Sequence, residues 1–376
     1  MSELFETTWI GSLELKNRSV RSATWSGVGD ERGYVTDRAV SFYKELGAGG
    51  IGLVVTGYQH VLPNGRQLQY AIGNYEDEQI EGLSRLAAAV HEAGGRIIPQ
   101  IVHVGSRANP ELIPEGQDIW APSAIADPVS GRMPKEVTKS DIQLLVEAYA
   151  AAARRAKAAG FDGVQLHGAH GYGINQFLSG FWNRRGDGYG GNLKNRYRFL
   201  AEVLEAVRGE VGDDFPILIK LNGHDYLDGG IVPDQAVEIA KRLADDGIDA
   251  IEVSAGSAGA PKDKSPSRTG IVKEEDEAYL LDLAILIKQA VRVPVITVGG
   301  IRSWNTVNDI LADGKADYVA MCRPFIREPH LMNRWKSGDT ARAACISCSG
   351  CFETGKQGLG ISCKVERMRK EKEKRE

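Results

Sequence analysis

A regular alternation of short apolar runs with helix-length amphipathic stretches is the feature of this 376-residue chain that most constrains its fold. The apolar runs are rich in Val, Ile and Leu and have the length of strands buried on both faces. We predict eight such strands, at Ser19–Thr24, Ile51–Val55, Arg96–Val102, Gly163–His167, Ile217–Leu221, Ala250–Ser254, Val295–Val298 and Tyr318–Met321. Eight strand–helix units in strict order favour a closed (β/α)8 barrel over an open doubly wound sheet.

Helices are predicted between these strands, where apolar residues recur at helical spacing and Ser, Pro or Gly marks an end. The predicted ranges are Asp37–Leu46, Glu76–Ala93, Ser140–Ala159, Asn195–Arg208, Pro233–Asp246 and Glu274–Ala290. Two longer segments, Gly105–Thr138 and Gly168–Lys194, follow the third and fourth strands, at the end of a barrel that carries active sites. We therefore predict an α/β protein with a TIM barrel over residues 1–338 and a short cysteine-rich extension over residues 339–376.

The composition excludes several classes of protein. With 42% hydrophobic residues and a net charge of −4, the chain can bury a large core and has no basic excess for nucleic acid. It contains no uncharged apolar run of about 18 residues, and acidic residues occupy its start, where a secretory signal has a basic segment. We expect a soluble cytoplasmic protein with neither a nucleic-acid nor a membrane partner, and we leave open whether it forms a homo-oligomer.

Two loops near the end of the predicted barrel have the composition of a phosphate site. Gly299 and Gly300 follow the seventh strand, and Arg323 follows the eighth. The last two loops of such barrels commonly bind phosphate through backbone N–H groups and a charged side chain. The glycine pair alone could be a tight turn, and Arg323 alone a surface residue, but their coincidence predicts a phosphate-bearing ligand.

Polar side chains at other strand ends complete a candidate site. His167, His170 and Tyr172 begin at the end of the fourth strand and offer hydrogen-bond donors and a proton donor. The two histidines could instead bind a metal, but no carboxylate stands at a matching position, so donors to a carbonyl oxygen are preferred. Gln100 on the third strand can bond a heteroaromatic ring, and Lys220 on the fifth can stabilise negative charge or form a Schiff base.

Three segments resemble the signature of the Old Yellow Enzyme family of FMN-dependent NADH:flavin oxidoreductases and ene-reductases. They are HGAHGYGINQFLS at 167–179, NRRGDGYGG at 183–191 and NRYRF at 195–199. The similarity extends from Leu4 to Pro329 and covers nearly the whole chain before the cysteine-rich extension. It implies a protein that binds FMN, takes electrons from NADH or NADPH and passes a hydride to an activated alkene.

Carried over position by position, the resemblance implies a role for each candidate residue. His167 and His170 would bind the carbonyl oxygen of the substrate, and Tyr172 would protonate the α-carbon. Arg323 and the glycine pair would hold the FMN phosphate. The residues implied to bind or adjoin the cofactor are Ala23, Thr24, Trp25, Gly57, Gln100, Lys220, Gly299, Gly300, Cys322 and Arg323.

Three of these positions depart from the family's pattern. Trp25 stands beside the flavin where many relatives have cysteine or threonine, so flavin potential and pocket volume are expected to differ. Lys220 replaces the arginine of several relatives, which keeps the charge but loses the planar fork. Cys322 stands where a small residue precedes the phosphate arginine, and we interpret it as a packing residue of the cofactor site.

The four cysteines of the extension have the spacing of metal or cluster ligands. Cys345, Cys348, Cys351 and Cys363 form the pattern C-x2-C-x2-C-x11-C, and such crowding does not suit a disulfide framework in a chain without a secretory signal. The pattern is similar to the cluster motif of 2,4-dienoyl-CoA reductases and 2-enoate reductases, which usually have three residues in the second gap. A [4Fe–4S] cluster, a structural zinc and free thiols all stay open.

These observations lead to one predicted function and two alternatives. We predict an FMN-dependent enzyme that uses NAD(P)H to reduce the C=C bond of a small activated alkene. A flavin-free barrel aldolase or isomerase would use Lys220 on a phosphorylated substrate. An electron-transfer module would pass electrons from the flavin and the cysteines to a partner protein.

Overall fold

The apolar runs of the sequence form the strands of a closed parallel barrel. The computed structural model describes residues 2–374. In chain order its strands are β1 (Thr8–Ile10), β2 (Leu13–Leu15), β3 (Ser19–Arg21), β4 (Leu53–His60), β5 (Ile97–Val102), β6 (Trp120–Ala121), β7 (Lys135–Glu136), β8 (Val164–Gly168), β9 (Ile217–Asn222), β10 (Ala250–Ser254), β11 (Val295–Val298) and β12 (Tyr318–Met321). Strands β3, β4, β5, β8, β9, β10, β11 and β12 pair in that order, and β12 pairs with β3 to close the barrel. The predicted TIM barrel is confirmed.

Amphipathic segments between the strands form helices that pack around the barrel. These helices are α1 (Asp37–Ala48), α2 (Ile80–Glu92), α3 (Lys139–Ala158), α4 (Gly173–Leu178), α5 (Leu193–Val211), α6 (Pro233–Asp245), α7 (Leu281–Lys288), α8 (Trp304–Ala312), α9 (Arg323–Arg327), α10 (Leu331–Lys336) and α11 (Lys364–Glu373). The side chains of Thr138 and Asp141 form a capping box that starts α3. Among residues 2–374, no helix combines the length and the apolar composition needed to cross a membrane.

Side-chain alternation divides the barrel interior into an apolar layer and a polar layer. Leu218, on β9, belongs to a buried apolar cluster that also contains Leu13 and Leu15 of the antiparallel hairpin β1–β2. Because side chains two residues apart share one face of a strand, Lys220 points to the same side as Leu218, one layer higher. The hairpin therefore covers the apolar end, and the polar layer faces the carboxyl ends of the strands.

Several elements differ from the predicted ranges, β4 and α7 by the largest shifts at one end. Strand β4 continues past Val55 to His60, with a shift of register between Val55 and Tyr58, and its polar second half gave no apolar run in the sequence. Helix α7 begins at Leu281 and not at Glu274, because Ala278 has a positive φ of 52° that interrupts the helical turn.

The two long insertions hold each other in place above the barrel. Arg185, in the second insertion, has 6% of its side chain exposed. Its guanidinium donates to the backbone oxygens of Pro122, at 3.0 Å, and Val137, in the first insertion, and it pairs with Asp187. The second insertion also contains helix α4. Hydrogen bonds between the two insertions thus order the loops around the site.

The cysteine-rich extension folds back onto the start of the barrel. The backbone N–H of Ile361 donates to the Ser26 oxygen at 2.8 Å, and that of Gly360 donates to the Gly27 oxygen at 3.1 Å. Gly27 has a φ of +61°, and a Cβ atom there would lie 2.6 Å from the backbone of Gly355. The extension is thus packed against the loop that follows β3. The ends of the two predicted domains, residues 1 and 375–376, lie outside the described residues.

Candidate active site

A cavity of about 530 Å³ opens at the carboxyl ends of the barrel strands, within the usual volume range of ligand pockets. Twelve of the thirteen predicted catalytic and cofactor residues line it: Ala23, Thr24, Trp25, Gln100, His167, His170, Tyr172, Lys220, Gly299, Gly300, Cys322 and Arg323. Gly57 lies behind this wall instead, and a Cβ atom there would lie 2.7 Å from the Thr24 backbone oxygen. Its part is therefore to permit the close approach of β4 to the Thr24 backbone.

A chain of buried hydrogen bonds crosses the floor of the cavity. Gln100 Nε2 donates to Gln165 Oε1 at 2.8 Å, and Gln165 Nε2 donates to Glu252 Oε2 at 2.8 Å. The other Glu252 oxygen pairs with Lys220 Nζ and accepts the Ser22 hydroxyl at 2.6 Å. Gln165, Glu252 and Ser22 were not predicted from the sequence.

The Lys220–Glu252 ion pair is buried, with 3% and 0% of the two side chains exposed. An unpaired charge at this depth is strongly unfavourable, so each partner offsets the desolvation cost of the other. Lys220 also donates to Ser22 Oγ at 2.8 Å. Its ammonium is therefore fixed in position and compensated, which suits a fixed positive charge better than a free amine nucleophile.

The two predicted histidines lie side by side, with ring centroids 5.1 Å apart. Burial lowers the pKa of His170 to about 3 and that of His167 well below its ordinary value, and the charge of Lys220 acts in the same direction. Both rings are therefore neutral near pH 7. The backbone N–H of Ala169 donates to His167 Nδ1 at 3.3 Å, so the proton of His167 is on Nε2.

Backbone geometry and one serine orient His170. This residue has a positive φ of 66°, and its backbone N–H donates to Asn222 Oδ1 at 3.3 Å. Its Nε2 atom lies 2.7 Å from Ser254 Oγ on β10. When the Ser254 hydroxyl donates this bond, the proton of the imidazole is on Nδ1. Ser254 was not predicted as a site residue, although it ends a buried strand at the carboxyl side.

Tyr172 lies beside His167, with ring centroids 4.9 Å apart. Burial raises the pKa of Tyr172, while the charge of Arg107 acts against this rise. Its hydroxyl donates to Gln67 Oε1 at 2.8 Å. The phenol is therefore protonated at neutral pH and its proton is held at the cavity by Gln67, a residue that no sequence motif indicated.

The predicted phosphate loops form the opposite end of the cavity. Gly299 and Gly300 have φ values of 139° and 72°, and Cβ atoms there would lie 3.1 and 3.0 Å from the Tyr279 ring. Arg323 Nη1 donates to the backbone oxygen of Arg268 at 2.8 Å and to Ser349 Oγ at 3.1 Å. The backbone of the glycine pair and the Arg323 guanidinium form a donor set that suits a phosphate.

The four cysteines of the extension line one small cavity, together with Arg323 and Arg327. Burial raises the pKa of the Cys351 thiol to about 12, and neighbouring thiols add to the rise. Within the described part of the chain, no three His, Cys, Asp or Glu side chains are arranged to hold a metal ion. The thiols thus share one cavity without forming a single-ion site.

Comparison with known proteins gives consistent matches. A sequence profile of the NADH:flavin oxidoreductase / NADH oxidase family matches residues 3–341. The chain is 36% identical over 368 residues to the NADH oxidase of Thermoanaerobacter brockii, a match that covers 96% of this chain and 55% of that protein. It is 37% identical over 331 residues to an NADPH dehydrogenase of Clostridium acetobutylicum, covering 88% of this chain and 93% of that protein.

A solved structure supports the same relationship. The Old Yellow Enzyme homologue from Zymomonas mobilis superposes with a TM-score of 0.78 at 26% identity, covering 94% of this chain and 98% of that chain. The chain spans about half the length of the NADH oxidase that it matches and most of the length of the NADPH dehydrogenase.

Proposed function

The chain belongs to the Old Yellow Enzyme family of NADH:flavin oxidoreductases, and we propose that it uses NAD(P)H to reduce the C=C bond of an α,β-unsaturated carbonyl compound or a related activated alkene. It is an NAD(P)H-dependent flavin oxidoreductase. The observation that carries the finer proposal is that two neutral histidines and a protonated tyrosine share one cavity with the predicted flavin-binding residues.

The cavity contains groups suited to each part of FMN. Gln100 and Lys220 would hold the ring, while Arg323, Gly299 and Gly300 would hold the phosphate. When bound, FMN supplies a hydride taken from NAD(P)H. The compensated ammonium of Lys220 argues against the flavin-free aldolase, which needs a free amine.

The histidines and Tyr172 have complementary tasks in alkene reduction. Negative charge develops on the carbonyl oxygen as the alkene accepts a hydride. His167 and His170 are neutral N–H donors, and two donors on that oxygen stabilise the transition state more than the ground state. Tyr172 then gives its phenolic proton to the α-carbon. Before substrate binds, Gln67 accepts the hydrogen bond of the Tyr172 hydroxyl and so fixes the position of this proton.

Anaerobic half-reactions with FMN-loaded protein test this proposal. His167→Ala or His170→Ala should slow enone reduction by about 10²-fold or more, the scale of one oxyanion donor, while flavin reduction by NAD(P)H changes less. Equal losses in both half-reactions would assign the histidines to folding or flavin binding.

Tyr172→Phe provides a second, independent test. Removal of the hydroxyl should slow reduction of enones, and it should affect nitroalkenes less because their nitronate product is stable without immediate protonation. Full rates with both substrates would mean that another group supplies the proton.

We further propose that residues 339–376, the extension of a flavin barrel over residues 1–338, hold a [4Fe–4S] cluster through Cys345, Cys348, Cys351 and Cys363. A cavity shared by four thiols and flanked by arginines suits an anionic metal centre. Within residues 2–374 these thiols do not converge on the geometry of a single ion, which favours a cluster over a lone zinc. Iron and sulfide should be measured in anaerobically purified protein, in Cys348→Ser and in the control Cys322→Ser. Zinc without sulfide, or no metal in any sample, would contradict the cluster.

A further inference from the structure

Cationic side chains line the cavity beyond its phosphate end. Among the described residues, its lining includes no carboxylate. The five cationic side chains of the lining are Arg107, Lys220, Lys262, Arg302 and Arg323. Lys220 is compensated by Glu252, and Arg302 lies 3.7 Å from Glu277. Arg323 lies at the phosphate end. Arg107, whose Nε lies 3.6 Å from Asp127 Oδ2, and the exposed Lys262 are on the substrate side.

Arg107 is held at the cavity wall by an ion pair that involves only its Nε atom. It ends the short helical turn Gly105–Arg107 after β5, and 19% of its side chain is exposed. Its nearest carboxylate is Asp127, with Nε and Oδ2 3.6 Å apart, beyond hydrogen-bond distance. In the part of the chain that the structure describes, no hydrogen bond uses its terminal Nη atoms. The fork of the guanidinium is therefore free to bind a ligand.

Tyr58 lines the same cavity as Arg107 and offers a second donor. The residue is 6% exposed, and among residues 2–374 its hydroxyl has no acceptor. Burial raises its pKa, and the charge of Arg107 opposes the rise, as it does at Tyr172. A buried hydroxyl without an acceptor is unfavourable unless a ligand supplies one.

The order of the rings separates this pair from the carbonyl-binding histidines. The ring of Tyr172 lies between His167 and Tyr58, with centroid distances of 4.9 Å to His167 and 5.9 Å to Tyr58. An alkene protonated by Tyr172 would thus have its carbonyl oxygen on one side and its far end toward Tyr58 and Arg107.

We propose that Arg107 and Tyr58 bind a carboxylate on the substrate, remote from the activated C=C bond. The preferred substrate class is therefore an alkene with a carbonyl group at one end and a carboxylate at the other. Guanidinium matches the two oxygens of a carboxylate in a planar fork, and the Tyr58 hydroxyl donates a further bond. This inference rests on the proposed alkene reduction and adds a charge requirement to it.

A matched pair of substrates isolates the charge. The probes are a cyclohexenone that carries a carboxylate on a saturated ring carbon and the methyl ester of the same compound. Wild-type protein should prefer the acid, and Arg107→Met should lower the acid-to-ester ratio of kcat/KM by about 10- to 100-fold, the scale of a charged hydrogen bond. Arg107→Lys should retain part of the preference because it keeps the charge.

Tyr58→Phe should lower the same ratio by less, since the hydroxyl is a neutral donor. Arg132→Met is the matched control, because Arg132 is an exposed arginine of the same insertion and lies outside the cavity lining. It should leave the ratio unchanged. Oxidised, FMN-loaded protein should also bind the acid more tightly than the ester when each is titrated by the change in flavin absorbance.

Three results would overturn the inference: equal kcat/KM for acid and ester in wild type, equal losses for both substrates in Arg107→Met, or a preference that survives in that variant. If wild type reduces neither compound, the proposed alkene reduction fails, whereas the Kd values of acid and ester for the oxidised protein still decide whether Arg107 binds a carboxylate.

Discussion

Glu252 illustrates what a single residue adds to the flavin end of the cavity. It lies inside the apolar strand β10, and its side chain is fully buried between Lys220, Gln165 and Ser22. The sequence did contain a signal, since glutamate is almost never fully buried unless it is paired. The partner could not be identified, because register across neighbouring strands is not visible in a sequence.

Glu252→Gln should raise the reduction potential of bound FMN. The amide keeps the shape but leaves the Lys220 ammonium uncompensated, so it would stabilise an anionic reduced flavin more strongly. A change on the order of 30 to 60 mV corresponds to one or two tenfold steps for a two-electron couple. Spectroelectrochemistry at fixed pH measures it, with Ser22→Ala as a neutral change in the same network. An unchanged or lower potential would contradict this expectation.

Ser254→Ala tests the orientation of His170. Loss of the hydroxyl removes the partner of Nε2 and lets the imidazole adopt either tautomer, so enone reduction should slow by about 2- to 10-fold, the scale of one neutral hydrogen bond. Flavin reduction by NAD(P)H in the same preparation serves as the internal control. Equal slowing of both half-reactions would instead assign Ser254 to the flavin.

Whole elements were predictable where the pattern is local. The apolar strands and most helices follow from periodicity and end signals, so the positions of His167 and Lys220 at strand ends could be deduced. Contacts between elements could not be predicted. Gln67 and Arg107 lie in connecting segments whose path depends on the packing of the insertions, and sequence periodicity carries no information about that path. The packing of the extension on the loop after β3 was likewise not visible.

Gly27→Ala should loosen the cysteine-rich extension specifically. The new methyl group would meet the Gly355 backbone at 2.6 Å. Gly314→Ala is a matched control, because Gly314 has the same φ of +61° but open space around it. Both variants should lose about 1–2 kcal/mol from left-handed strain, and only Gly27→Ala should speed protease cleavage beyond residue 345. Equal cleavage in the two variants would show that this contact does not hold the extension.

For the molecule as a whole, buried neutral histidines determine the response to acid. Burial lowers the pKa of His60 and His170 to about 3 and that of His103 to about 4, and it lowers that of His167 as well. The unfolded chain binds these protons near pH 6.5 while the folded protein does not. Their contribution to stability is therefore complete above pH 6.5 and is lost as the pH falls toward 4.

Unfolding by urea between pH 7 and 5, with excess FMN, measures this loss. Each histidine should lower the free energy of unfolding by up to about 1.4 kcal/mol per pH unit below its unfolded pKa. His103→Gln should flatten the dependence, and His330→Gln, at an exposed position, should not. A flat profile in wild type would contradict the expected titration.

The contact between helix α1 and the extension also orders events during synthesis. Arg38 bonds the backbone oxygen of Gly358, 320 positions later, and Ser347 and Phe352 form part of the cavity wall. A nascent chain that ends after β12 therefore contains all eight barrel strands but lacks one side of the pocket. Nascent chains fold from the N-terminus as they emerge, so we expect the complete cofactor pocket to form only after residue 352 has left the ribosome.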